Sequence, residues 1–185
     1  MVPGTSAFRL MVVPDPEGGR KTGYKMNNIN YVIGYTTGVY DLFHIGHLNL
    51  LKNAKGMCDK LVVGVTVDEL VQYKGKNALI PFEDRIEIVR SCRYVDAAVP
   101  QYDMDKLKAC KELGASILFV GDDWYGTEKW QKYEKEFAKE GIKIVYFPYT
   151  KGVSSTIITN ALKQVRGWTS EASEAAIRTD GKEDD

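Results

Sequence analysis

The chain has 185 residues, 44% hydrophobic and 27% charged, with 25 basic side chains balanced by 25 acidic ones. That length buries one full hydrophobic core. The charge balance excludes a global basic field, so no nucleic-acid partner is expected, and no apolar run reaches membrane-spanning length, so no membrane partner is either. Residues 1–28 hold Pro3, Gly4, Pro14, Pro16, Gly18, Gly19 and Gly23 without periodicity, and read as a disordered leader or an expression remnant, with Met26 a candidate natural start. Residues 29–166 read as one domain, and 167–185 as a flexible acidic tail ending Lys182-Glu183-Asp184-Asp185.

Within the domain, Tyr31–Tyr35 is strand-like, and Leu48, Leu51, Ala54 and Cys58 recur at helical spacing. Leu61–Val65 is a continuous β-branched run, as in a strand buried on both faces. A short helix follows it, and Pro81 opens another, with Glu83 and Asp84 in its first turn. Asp96–Val99 is a weak strand, Asp105–Leu113 a helix stopped by Gly114, and Ile117–Val120 a strand. Thr127–Lys139 is a polar helix stopped by Gly141, Ile142–Phe147 a strand, and Ser154 caps a last helix. Short apolar strands alternating with helices predict an α/β fold, a Rossmann-like doubly wound parallel sheet. Cys58, Cys92 and Cys110 have no zinc-site spacing, fall in predicted helices, and read as half-buried thiols of a reducing, cytoplasmic compartment.

Ligands of such sheets bind beyond the strands' carboxyl ends. Three unusual segments fall there. The first is Gly38-Val39-Tyr40-Asp41-Leu42-Phe43-His44-Ile45-Gly46-His47, which hands a strand over to a helix. A helix start offers free N–H groups and a positive dipole end, a ready phosphate site. His44 and His47 are the only two histidines of the chain, Gly46 allows close backbone approach, and Thr36 and Thr37 add hydroxyls. The second, Gly121-Asp122-Asp123-Trp124, is either a tight turn or a pair of carboxylates for a base, a ribose or a divalent ion; Trp124 packs or stacks. The third runs from Tyr149 and Thr150 through Gly152, Ser154, Ser155 and Thr156 and reads as a second anion-binding helix start. Lys74 and Lys76 are either a solvated loop or a flexible cationic arm, and Arg85 either a surface arginine or a phosphate clamp.

Taken together, GVYDLFHIGH (38–47), the lysine loop, FEDRIEIVRSCRYVD (82–96), GDDWYG (121–126) and YTKGVSST (149–156) resemble the cytidylyltransferase family, the small HxGH-type nucleotidyltransferases, from about Ile33 to Leu162. GDDW leans toward the glycerol-phosphate branch. The resemblance implies transfer of CMP from CTP, with Mg²⁺, to a small alcohol phosphate such as glycerol 3-phosphate, as in teichoic acid or capsule synthesis. It also implies a homodimer. His44 and His47 then match phosphate-binding histidines, Lys74 and Lys76 transition-state lysines, Arg85 an active-site arginine, and Asp123 a nucleoside-binding carboxylate. Tyr149 departs from the family's usual arginine and Lys151 from its glutamate; Lys151 is a candidate to restore the lost charge. Phosphocholine, phosphoethanolamine or sugar phosphate acceptors, ATP as donor, and a non-catalytic nucleotide-binding module remain alternatives. A fragment of a HIGH-bearing aminoacyl-tRNA synthetase is disfavoured by the short chain and its lack of net basic charge.

Overall fold

The computed structural model describes residues 11–13, 23–25, 31–73 and 77–166. Within the stretch expected to be a leader, strands β1 (Met11–Val13) and β2 (Gly23–Lys25) pair antiparallel. The rest of 1–28 and the tail at 167–185 lie outside the described residues.

The domain then alternates: β3 (Ile33–Gly38), α1 (Ile45–Lys55), β4 (Lys60–Thr66), α2 (Asp68–Tyr73), α3 (Phe82–Ser91), β5 (Ala97–Gln101), α4 (Lys106–Leu113), β6 (Ile117–Gly121), a 3-10 turn at Asp122–Trp124, α5 (Glu128–Lys139), β7 (Lys143–Phe147) and α6 (Ser155–Arg166). The last five strands form one parallel sheet in the order β5-β4-β3-β6-β7. The unbroken apolar run of β4 has its cause here, since Leu61, Val62, Val63 and Val65 are all fully buried between two covered faces. Tyr35, Val62, Leu118, Trp130 and Phe137 pack in one cluster, and Leu51, Leu61, Val63, Val89 and Phe119 in another. Among the described residues no helix is long and apolar enough to cross a membrane.

The helix ends follow local chemistry. The Lys108 N–H donates to Asp105 Oδ1 at 2.9 Å, and Gly114 closes α4 at φ 65°, where a side chain would be strained. The weak strand seen in the sequence is β5, which extends to Gln101 and tolerates Pro100 because it lies at the sheet edge. The largest boundary differences from the sequence pattern surround the first turn. β3 continues past its apolar run to Gly38, and α1 begins at Ile45, ahead of Leu48. Cys58 and Cys92 lie just beyond α1 and α3, and only Cys110 is inside a helix. Since the chain runs outward from β3 to β5 and then returns to the other side of β3 at β6, the helices after β3 and β6 diverge. A crevice therefore opens beyond those two strand ends.

Candidate active site

The turn from β3 into α1 is strained. Tyr40 and Leu42 both hold positive φ, at 57° and 47°, a conformation that bulky side chains rarely adopt. It delivers His44 as the N-cap of α1. The Gly46 N–H donates to His44 Nδ1 at 3.1 Å, and the His44 N–H donates to His47 Nδ1 at 3.4 Å. This is a capping box built from two imidazoles. Because each Nδ1 accepts, each neutral ring carries its proton on Nε2. The rings stack 4.0 Å apart. Burial, and then the neighbouring His44, hold His47 down at about 4, and burial lowers His44 as well, so both are neutral donors at physiological pH.

Gly46 has a role beyond backbone approach. A Cβ there would lie 2.8 Å from His44 Cε1 and 2.9 Å from its Nδ1, so the glycine makes room for the imidazole that caps it.

The second helix start faces the first. Gly152 turns the chain at φ 83°, and Ser154 Oγ accepts from the Ile157 N–H at 3.1 Å, capping α6 and leaving its own O–H to donate. Ser155 Oγ donates to the Asp41 carbonyl at 2.7 Å. Thr150 Oγ1 accepts from Asn49 Nδ2 at 3.3 Å, bridging the segment before α6 to α1. Tyr40, His44, Gly46, His47, Asp123, Tyr149, Thr150, Ser154, Ser155 and Thr156 all line one cleft of about 560 Å³, together with Asn49 and Asn53 of α1. Asp123 is the only charged side chain on that wall among the described residues.

Asp122, Thr36, Thr37 and Gly38 are not on that wall. Asp122 Oδ1 accepts from the Tyr149 N–H at 3.1 Å, so this carboxylate fixes the end of β7. Trp124 completes the 3-10 turn. Thr36 is buried and hydrogen-bonded to Tyr40, and Thr37 donates to Gln101 Oε1, so neither hydroxyl reaches the cleft. Gly38 ends β3 beneath the Tyr40 ring. Lys74 and Lys76 lie outside the described residues.

Arg85 is neither the surface arginine nor the cleft-facing clamp that the sequence offered. It is fully buried. Its Nε donates to the Ile80 carbonyl at 2.8 Å, and Nη1 to the carbonyls of Val39 at 2.5 Å and Thr66 at 2.9 Å. Nη2 pairs with Asp68. The guanidinium thus ties the ends of β3 and β4 to the start of α3 from inside.

The sequence reading passed over Asp41, Asn49 and Asn53. The asparagines were detectable as a pair four apart on the helix that His44 begins. Asp41 was detectable as a carboxylate set between Tyr40 and Leu42 in a turn.

A sequence model described as cytidylyltransferase-like matches residues 35–161, a span holding both helix starts. The glycerol-3-phosphate cytidylyltransferase of Bacillus subtilis is 36% identical over 124 residues, covering 66% of this chain and 91% of its own. The FAD synthase of Thermococcus kodakarensis is 33% identical over 129 residues, covering 68% of this chain and 83% of its own. Among solved structures, the lipopolysaccharide core biosynthesis protein from Thermoplasma volcanium GSS1 aligns with a TM-score of 0.57 at 27% identity, over 67% of this chain and 100% of that one. With a family match spanning most of the domain, and with His44 and His47 lining the cleft inside that span, this chain belongs to the cytidylyltransferase-like family of nucleotidyltransferases.

Proposed function

We propose that the chain transfers CMP from CTP to glycerol 3-phosphate, giving CDP-glycerol and pyrophosphate. The observation that carries this reading is the convergence of two helix starts, one bearing imidazoles and one bearing hydroxyls, on a single cleft at the sheet's switch point. An oxygen of the acceptor phosphate attacks the α-phosphorus, and the bond to the bridging oxygen breaks, so that pyrophosphate leaves with the electron pair. The attacking oxygen is already anionic, so no serine or cysteine nucleophile is required. The protein's task is alignment and stabilisation of spreading charge. The Nε2–H groups of His44 and His47, the free N–H groups of α1 and α6 and the Ser154 hydroxyl supply that. Lys74 and Lys76 are assigned to the same task by family resemblance.

The Mg²⁺ that such chemistry uses fits as a companion of the nucleotide. No group of three His, Cys, Asp or Glu able to hold a metal occurs among the described residues. Asp123 is the one carboxylate on the cleft wall among them, which suits an ion that arrives on the triphosphate and takes one carboxylate from the protein.

Glycerol 3-phosphate as acceptor is supported by the Gly121–Trp124 motif and by relatives named for that activity. A second reading, adenylyl transfer from ATP to a flavin phosphate, is favoured by relatives named FAD synthase at comparable identity. Incubation with Mg²⁺, CTP or ATP, and glycerol 3-phosphate, phosphocholine, phosphoethanolamine or FMN separates the two. CDP-glycerol identified by mass, with pyrophosphate released in equal amount, is the expected result. FAD formed from ATP, with no CDP-glycerol, overturns it.

A further inference from the structure

We infer that Asp41 is a positioning residue that holds the two helix starts in register around the cleft, an inference that rests on the nucleotidyl-transfer reading above. Asp41 lies at the centre of the strained turn, between the positive-φ residues Tyr40 and Leu42, and is buried at 9% exposure. Its carboxylate accepts from two consecutive backbone groups, the Leu79 N–H on Oδ2 and the Ile80 N–H on Oδ1, each at 3.0 Å. Its carbonyl accepts from Ser155 Oγ at 2.7 Å. One residue therefore joins the turn that presents His44, the segment that leads into α3, and the first residue of α6. Arg85 braces the same joint from below, through the carbonyls of Val39 and Ile80.

Strained backbone persists only where its surroundings over-determine it. Here the surroundings are the three hydrogen bonds to Asp41, and they come from both sides of the crevice. Asp41 itself is not on the cleft wall. The effect of these bonds is to fix where the imidazole-bearing and hydroxyl-bearing helix ends stand relative to one another. A misplacement of about 1 Å between such groups costs on the order of 100-fold in rate.

The test uses the full chain with D41N, Ser155→Ala, Ser155→Thr and a control, Val89→Ala. D41N keeps the bulk but turns one acceptor into an N–H₂ that faces a backbone N–H. Val89→Ala thins the core at a side chain that is not on the cleft wall and makes none of the hydrogen bonds to Asp41, and it is expected to lower the thermal midpoint as D41N does. The expected result for D41N is a kcat about 10- to 100-fold lower with the KM for CTP within about twofold. Ser155→Ala should fall in the same sense, Ser155→Thr should recover most of the loss, and Val89→Ala should keep the wild-type kcat. Amide exchange at Gly46, His47, Ser155 and Thr156 should quicken at least about tenfold in D41N over Val89→Ala. D41N turning over like the wild type, or no faster than Val89→Ala in exchange at those amides, overturns the inference. A wild-type chain that releases no pyrophosphate with any acceptor defeats the transfer reading instead. Amide exchange then decides alone whether the joint exists.

Discussion

The imidazoles of His44 and His47 lie with their centroids 4.0 Å apart and their planes 23° from parallel, each ring accepting a backbone N–H through Nδ1. One arrangement therefore does two things. It satisfies orphan donors at the start of α1, and it fixes the proton of each ring on the far nitrogen, the one left to meet a ligand.

Replacing His47 by alanine should lower turnover by about 100- to 1000-fold, the usual cost of one preorganised charge-stabilising contact. The fold should remain, because the cap from the Gly46 N–H to His44 is kept. Steady-state pyrophosphate release with circular dichroism on the same sample checks both halves. Turnover close to wild type would remove His47 from the chemistry.

Stability should rise with pH below neutrality. His47 is held at about 4 when folded, against 6.5 for an unconstrained histidine, and His44 shifts in the same direction. The unfolded chain therefore takes up the proton first. The stabilisation from the neutral ring is complete above about pH 6.5 and is lost as the pH falls toward about 4. Urea midpoints between pH 4 and 7 should show this slope, and His47→Asn should flatten it.

Gly46→Ala should impair the site far more than the fold. The new Cβ would meet the His44 ring at 2.8 Å, and the ring must swing away, losing its bond from the Gly46 N–H. The expected stability cost is about 1 kcal/mol, that of a lost N-cap. Turnover should fall by about tenfold or more, since the swung ring no longer aims its donor. Unchanged turnover would show that the His44 ring is not used where it stands.

Arg85→Met should act through stability. The carbonyls of Val39, Thr66 and Ile80 would each lose a partner, at about 1–3 kcal/mol apiece, for a total of about 3 kcal/mol or more. Lysine should rescue little, because an ammonium cannot span the fork of acceptors. Urea unfolding and activity per folded molecule separate the possibilities. A well-folded Arg85→Met with no turnover would return the arginine to the chemistry.

The layout of the domain was legible because its strands are short, apolar and separated by helices with clear caps, as at Asp105 and Gly114. The placing of three site segments past strand ends followed from that alternation, and the cleft brings His44, Asp123 and Ser154 together. What was not legible depends on partners distant in sequence. Thr36 and Thr37 look like hydroxyls on the approach to a site until Tyr40 and Gln101 are seen to engage them. Arg85 looks exposed because arginine usually is; its acceptors come from Val39, Thr66 and Ile80, which no periodicity links. Asp41 was passed over for the same reason, since its role appears only once Leu79, Ile80 and Ser155 stand around it.

The order in which the strands lie side by side has a consequence for how this chain can change. The opening between β3 and β6 is made by the path of the backbone, so it survives any exchange of the side chains along its rim. Rim side chains such as Tyr149 and Asn53 can thus change while the framework beneath them stays put, and relatives at similar identity do carry the names of different products.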